Sequence, residues 1–411
     1  MISRRRHLTT ATFLSLVLTA PLLTGAPAHS APSASPQSPA SATAQGVSRL
    51  AGTRGLALPR PTGPYVVGRR TVHLVDFKRA DPWAPSAGAR ELMVSLSYPA
   101  RREGGRPAPY MSEAEAGLLL ESRGLAGVIP AATVSGARTY ARVRAVPARG
   151  RFPLVVLSPG FSLPRSTLTS LADDLAGRGY VVATVGHAYE SVGTLFPGGR
   201  MLTCLACEQV ATHQEQAAAT RVRAADLSFV ISQLTGGAGL LSRSIDPDRV
   251  GVAGHSLGGA AAAASMAADD RVRAGINLDG DFFLEPAAAG LGHRPLLMLG
   301  TATVHGPHAA DSDWPDAWRH LTGWKRWLTV IGAEHLSFTD FPYLADQLGL
   351  TGPDTPLTGT RAWSITRDYI SAFFDLHLRG LPRPVLDGPT PAHPEVTFQP
   401  ATTTARDKTG T

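Results

Sequence analysis

Cysteine and lysine are both scarce in this chain. Only two cysteines, Cys204 and Cys207, occur in 411 residues. That is too few for a disulfide-stapled small fold, and without a second pair it does not make a Cys-ligated zinc site. Lysine appears only as Lys78, Lys325 and Lys408, so nearly all of the positive charge is arginine. The formal net charge is +7, yet the arginines are dispersed, with no basic cluster beyond the N-terminus. A nucleic-acid surface is therefore not expected. No G-x-x-x-x-G-K-[ST] loop occurs, and no convincing G-x-G-x-x-G follows a strand, so nucleotide binding has no support. Beyond the N-terminal segment no apolar run is long enough for a membrane helix. No internal repeat is present.

What the chain does have is enough apolar residue, 43%, for a large core, and an export-type N-terminus. Ser3-Arg-Arg-Arg-His7 is a positive region, Ala11–Leu23 is apolar but short, and Ala26-Pro-Ala28 is an A-x-A cleavage site, with Ala28-His-Ser30 as an alternative. Ser3-Arg4-Arg5 followed by Leu8 also fits a twin-arginine signal, and the two export routes stay open. No cysteine lies near the cleavage site for a lipid anchor. The expectation is a secreted protein with no stable membrane anchor. In that compartment Cys204-Leu-Ala-Cys207 reads as a short-loop disulfide stapling the segment between Gly198 and Gln209.

The expected organisation is a signal peptide over 1–28, an Ala/Pro/Ser-rich linker over 29–60, one catalytic domain over 61–398 and a flexible tail over 399–411. Tyr65–Phe77 and Glu91–Tyr98 read as two antiparallel strands, Phe152–Leu157 and Tyr180–Val185 as buried ones. Helical patterns cover Glu113–Arg123, Ser166–Gly179, Glu208–Leu234 and Ser364–Arg379. Strands alternating with helices predict an α/β fold with a mostly parallel central sheet flanked by helices.

The chemistry is carried by Arg249–Gly259. A short apolar strand runs into Gly254-His255-Ser256-Leu257-Gly258, a G-x-S-x-G sequence, followed by a run of alanines with high helix propensity. This strand–turn–helix context is that of a nucleophile elbow, in which neighbouring side chains must be absent. A serine needs a base to take its proton and an acid to hold the base. Among the histidines after Ser256, His335 stands in the loop that follows the apolar run Trp327–Ile331, where this fold delivers the base. His293, His305, His308 and His320 fall in loops or near helix ends, and His377 falls within a helical pattern. The strand Pro295–Leu299 is followed by no nearby carboxylate. The strand before it, Ala274–Leu278, ends in Asp279-Gly280-Asp281. Asp279 is the expected acid and Asp281 the alternative, with Asp311 and Asp313 further off. No metal or cofactor is expected, although His305-Gly-Pro-His308 with Asp311 and Asp313 offers metal-type donors. His187, after the fourth strand, reads either as a substrate contact or as a strand-end histidine.

Ser256, a Leu278-Asp279 pair after the sixth strand, and a His335 followed by Phe338-Thr-Asp-Phe341 together resemble the plasma-type platelet-activating factor acetylhydrolases and their bacterial relatives. That resemblance implies an α/β-hydrolase that cleaves short or oxidised acyl esters without calcium. It extends to Val155-Val-Leu-Ser-Pro-Gly-Phe161, where it implies that Phe161 donates a backbone N–H to the oxyanion, with Leu257 as second donor. The function expected is a serine esterase acting on a small-molecule or lipid ester through Ser256, His335 and Asp279. The alternatives are a lipase or cutinase-like polyester hydrolase, or a catalytically inactive hydrolase-fold binding protein. Oligomeric state, acyl length and head group are not legible.

Overall fold

The computed structural model describes residues 55–101, 105–237, 241–284, 291–309 and 312–399. The expected signal peptide, most of the linker, Asp311 and the tail from residue 400 lie outside these residues.

Twelve strands and eight helices follow one another along the described chain: β1 (Val66–Ala80), β2 (Ala89–Ala100), α1 (Glu113–Ser122), α2 (Ala131–Ser135), β3 (Arg142–Val143), β4 (Phe152–Ser158), α3 (Thr169–Arg178), β5 (Val181–His187), β6 (Thr194–Leu195), β7 (Met201–Leu202), α4 (His213–Thr235), β8 (Ile245–His255), α5 (Leu257–Ala268), β9 (Val272–Leu278), β10 (Leu296–Thr301), α6 (Trp314–His320), β11 (Lys325–Val330), α7 (Phe341–Leu348), α8 (Gly359–Arg379) and β12 (Val396–Phe398). Ten strands form one sheet in the order β12-β11-β10-β9-β8-β4-β5-β2-β1-β3. The run from β5 to β11 is parallel, while β2 joins β5, and β12 joins β11, antiparallel.

The central strands are apolar on both faces because helices cover both. Side chains alternate across a strand, so Leu154 and Val156 of β4 enter one core with α4 and α5, while Val155 and Leu157 enter another with α3 and α8. A third cluster joins α1, α2 and α7 with Leu56 and Leu58, so the end of the Ala/Pro/Ser-rich stretch packs onto the fold. The Pro/Thr-rich C-terminal region contributes an edge strand that sequence periodicity did not mark, because β12 is only three residues long. Helix starts are set locally. Ser112 and Thr212 cap α1 and α4 with reciprocal Glu115 and Glu215 contacts, and Gly179 and Gly380 end α3 and α8 in the left-handed region.

Candidate active site

Four parallel strands deliver the predicted residues to one edge of the sheet. Ser256 follows β8, Asp279 follows β9, His335 lies in the turn after β11 and Phe161 lies beyond β4. Ser256 has φ 57° and ψ −129°, a conformation rarely adopted by a non-glycine residue. Its backbone N–H donates to Leu278 O at 2.8 Å, which ties the turn to β9. A Cβ on Gly254 would stand 2.1 Å from Gly258 O, and one on Gly258 would stand 2.1 Å from Ser158 O. Gly254 is thus required by the Gly258 backbone and Gly258 by the end of β4, rather than either by the serine side chain.

Asp279 also takes a positive φ, 54°, which aspartate tolerates better than most residues. Its Oδ2 lies 2.7 Å from His335 Nδ1. Its Oδ1 accepts from Thr301 N at 2.6 Å and lies 2.8 Å from His305 Nδ1. Burial alone would raise this carboxyl, but the hydrogen bonds from His305 and His335 hold it well below the usual carboxylate range. The carboxylate is fully buried, whereas the His335 side chain is 48% exposed, so the pair runs from the core to the surface.

Sequence reasoning left His305 among the unassigned loop histidines. Its Nε2 lies 3.2 Å from Asp281 Oδ1, so both ring nitrogens face carboxylates. Carboxylates only accept, so both nitrogens donate and the ring is an imidazolium. Burial opposes that charge, but the bonds to Asp279 and Asp281 raise its pKa to about 9. The ring stacks on Trp314 at 4.3 Å, and Trp314 Nε1 donates to Gly280 O at 2.8 Å. With both nitrogens engaged, His305 has no lone pair for a metal. Asp313 Oδ2 accepts from Phe282 N at 2.6 Å, and burial, with Asp281 nearby, pushes this carboxyl up to about 6. Asp311 lies outside the described residues.

His335 opens a short 3-10 turn, His335–Phe338, capped by Glu334. His255 Nε2 donates to the His335 carbonyl at 2.7 Å, and the two rings are 4.6 Å apart. Burial, then the nearby His335, lowers the His255 pKa to about 3, so this ring is neutral. The residue before the nucleophile therefore holds the backbone of the predicted base, a role invisible in the sequence because x in G-x-S-x-G is unconstrained. Among the described residues, Ser256 Oγ and His335 Nε2 make no hydrogen bond with each other; such contacts commonly tighten only with substrate bound.

Phe161 and Leu257, the expected oxyanion donors, pack in one cluster with Trp83, Cys204, Val210 and Phe283. Leu257 is the first residue of α5, where a helix N–H is not used within the helix. The loop bearing Phe161 is fixed from below. Arg223 donates from Nη1 to Pro159 O at 2.6 Å and from Nε to Glu190 Oε2 at 2.6 Å, while Ser162 N donates to Glu190 O at 3.0 Å. His187 is the strand-end residue of the two readings. Its Nδ1 donates to Asp226 at 2.8 Å, and its Nε2 faces Ser158 Oγ at 2.9 Å. Burial, reinforced by Arg223, lowers the His187 pKa. His187, Glu190 and Asp226 bring ligand-type atoms within 4.8 Å of one another. Arg90, however, sits 2.7 Å from both Glu190 and Asp226, so the carboxylate charge is already answered and a divalent ion does not fit.

Cys204 and Cys207 form a disulfide, with Cα atoms 5.3 Å apart. His377 packs between Trp324 and Phe373, where burial lowers its pKa to about 4, and takes no part in the site.

A family model described as platelet-activating factor acetylhydrolase, isoform II, matches residues 51–197 and 209–351. A probable 1-alkyl-2-acetylglycerophosphocholine esterase of Arthroderma benhamiae is 28% identical over 376 residues, which is 83% of this chain and 93% of that protein. The platelet-activating factor acetylhydrolase of Bos taurus is 25% identical over 234 residues, 48% of this chain and 50% of that protein. The solved structure of a ferulic acid esterase from Streptomyces cinnamoneus is 45% identical, with a TM-score of 0.75 over 84% of this chain and 100% of that one.

Proposed function

The chain is an esterase that belongs to the platelet-activating factor acetylhydrolase, isoform II, family, and on that premise we propose that Ser256, His335 and Asp279 are its nucleophile, base and acid. The observation that carries the reading is the strained Ser256 elbow beside a 2.7 Å His335–Asp279 pair at the same sheet edge. His335 Nε2 takes the Ser256 proton as Oγ attacks the ester carbonyl carbon. Asp279 orients the ring and stabilises the imidazolium that forms. The N–H groups of Phe161 and Leu257 receive the oxyanion. His335 returns the proton to the departing alkoxide oxygen as the C–O bond breaks, leaving an acyl-enzyme. Water, deprotonated by His335, then releases the carboxylic acid and restores the serine.

The proposed substrates are esters with short acyl groups, as on a small molecule or a platelet-activating-factor-like phospholipid, taken by an exported enzyme with residues 1–28 as its leader and 61–398 as its catalytic domain. A second reading is favoured by one observation. Trp83, Phe161 and Phe283 stand in the apolar cluster beside Leu257, a setting suited to an aromatic acyl group, and the similar Streptomyces protein is called a ferulic acid esterase.

The test is Ser256→Ala with a fluorophosphonate probe and an ester panel. Hydrolysis and labelling should both vanish in the variant while its circular dichroism is unchanged; labelling that persists would move the nucleophile elsewhere. Comparing p-nitrophenyl acetate, a short sn-2 phospholipid and methyl ferulate then separates the two substrate readings by kcat/KM.

A further inference from the structure

A cavity of about 760 Å³ lies away from Ser256, against the antiparallel side of the sheet. Its walls come from β1, β2 and β5, the start of α3, and the segments around residues 106–112 and 143–147. None of Ser256, Asp279, His335, Phe161 and Leu257 lines it.

Its charge is one-sided. Arg69, Arg70, Arg106, Arg144 and Arg165 line it, against the single carboxylate of Glu115. Arg69 is answered by Asp173 at 2.5 Å. Arg165 is not answered as well. Its side chain is 13% exposed, and its nearest carboxylate, Glu115, is 3.6 Å away. That carboxylate already accepts from Ser112 and from Leu195 N. Burial lowers the Arg165 pKa despite Glu115, as expected for an under-compensated buried cation. Among the described residues, Arg70, Arg106 and Arg144 at the rim have no ion pair.

A second, independent observation concerns hydroxyls. Thr184, 3% exposed, lines the cavity, and its Oγ1 is buried with no hydrogen-bond partner among the described residues. The Oγ of Ser166, also in the lining, is in the same state. Buried polar groups are almost always paired, and an oxyanion would accept from these hydroxyls and from the Arg165 fork together. Tyr98, Met111, Val146 and Pro147 supply apolar wall, interspersed with further hydroxyl residues such as Ser95 and Ser97. The volume falls within the range of small-ligand sites.

We infer that this cavity is a second, non-catalytic site for a small organic anion: a phosphate or carboxylate held by Arg165, Thr184 and Ser166, on a compact apolar body set against Tyr98 and Met111. The inference does not depend on the assignment of the catalytic residues.

The experiment is calorimetric titration of the exported protein at low salt with inorganic phosphate, phenyl phosphate and benzoate. Saturable binding is expected for phenyl phosphate, about tenfold tighter than for inorganic phosphate because the ring buries apolar area. Benzoate distinguishes a carboxylate from a phosphate preference. Arg165→Gln should weaken binding at least tenfold and Thr184→Val several-fold. The exposed rim variant Arg144→Gln, which leaves the core untouched, should weaken it several-fold with basal ester hydrolysis unchanged. Binding should survive fluorophosphonate labelling of the active serine. No heat with any of the three anions would overturn the proposal. So would binding unaffected by both Arg165→Gln and Arg144→Gln, or binding abolished by the fluorophosphonate. Equal affinity for phosphate and phenyl phosphate would overturn the apolar half of it.

Discussion

His305 Nδ1 stands 2.8 Å from one oxygen of Asp279 while His335 Nδ1 stands 2.7 Å from the other. The carboxylate is thus shared between an exposed imidazole, proposed to gain a proton during turnover, and a buried imidazolium that holds its charge throughout. The permanent partner keeps Asp279 ionised in a buried position and leaves Oδ2 aimed at His335. Asp281, on the far side of His305, completes a row of alternating charges.

Asp279→Asn should lower kcat roughly 10⁴-fold, as loss of the orienting acid does in comparable triads, with circular dichroism unchanged. Asp281→Asn keeps an oxygen able to accept from His305 Nε2 at the 3.2 Å contact and removes only the negative charge there, so it should cost less than tenfold. Steady-state kinetics on p-nitrophenyl acetate settles the order. A larger loss in Asp281→Asn would exchange the roles of the two residues.

Much of the site edge was legible because its constraints are local. Gly254 and Gly258 are spaced by a turn, and Asp279 and His335 each follow a short apolar strand. The parts that were not legible depend on distant partners. His255 acts on a backbone carbonyl 80 residues away, and Arg223 acts on Pro159, 64 residues away. Nothing in periodicity or spacing marks such pairs. His305 was placed in a loop and read only as a metal-type donor with His308, Asp311 and Asp313; nothing in its spacing marked Asp279 and Asp281 as its partners. Strand β12 was missed for a different reason, since a three-residue edge strand in a Pro/Thr-rich segment is decided by the neighbour it pairs with.

His305→Gln keeps a hydrogen-bond donor but loses the charge. The expected loss in kcat is about 10- to 100-fold with little change in KM, because the change reaches substrate only through Asp279. Stability supplies a readout that depends on the charge. The folded pKa of about 9 exceeds the roughly 6.5 of an unfolded histidine. Its contribution is therefore full below about pH 6.5 and is lost as pH rises through about 9. Thermal denaturation across that window should show wild type falling relative to His305→Gln, with the difference vanishing at the alkaline end. A constant difference would mean that His305 is neutral.

Arg223 joins the Pro159 carbonyl to Glu190, so it positions the loop proposed to carry an oxyanion donor. Arg223→Lys keeps the charge but loses the fork. It should lower kcat by about the 10²-fold of a lost oxyanion donor and leave KM near wild type. A chelator should change neither protein, because Arg90 already neutralises the carboxylates near His187. Activity lost to chelator and restored by a divalent ion would contradict the charge argument.

Reducing the Cys204–Cys207 bond should have a small effect on the fold and a larger one on the site. The bridge spans a sequence separation of 3, for which chain entropy gives about 2 kcal/mol. Cys204 also packs in the cluster that contains Phe161 and Leu257. A Cys204→Ala/Cys207→Ala variant should lose a few degrees of Tm while its kcat/KM on aromatic esters falls more than on acetates. Mass spectrometry of unreduced protein, two mass units below the dithiol, checks the starting state.

The Asp340 carboxyl is buried and accepts from Ser170 N at 3.1 Å. Burial is the largest influence and pushes it up to about 7, against roughly 3.9 in an unfolded chain. Between these values the folded state binds more protons than the unfolded one, so stability falls as pH rises. The contribution of the protonated form is complete below about pH 4 and gone above about pH 7. Asp340→Asn imitates the neutral acid at every pH. Urea denaturation from pH 4.5 to 8 should show the variant increasingly more stable than wild type toward the alkaline end. If the two curves stay parallel, the carboxylate is ionised throughout, and the contact with Ser170 N compensates its burial.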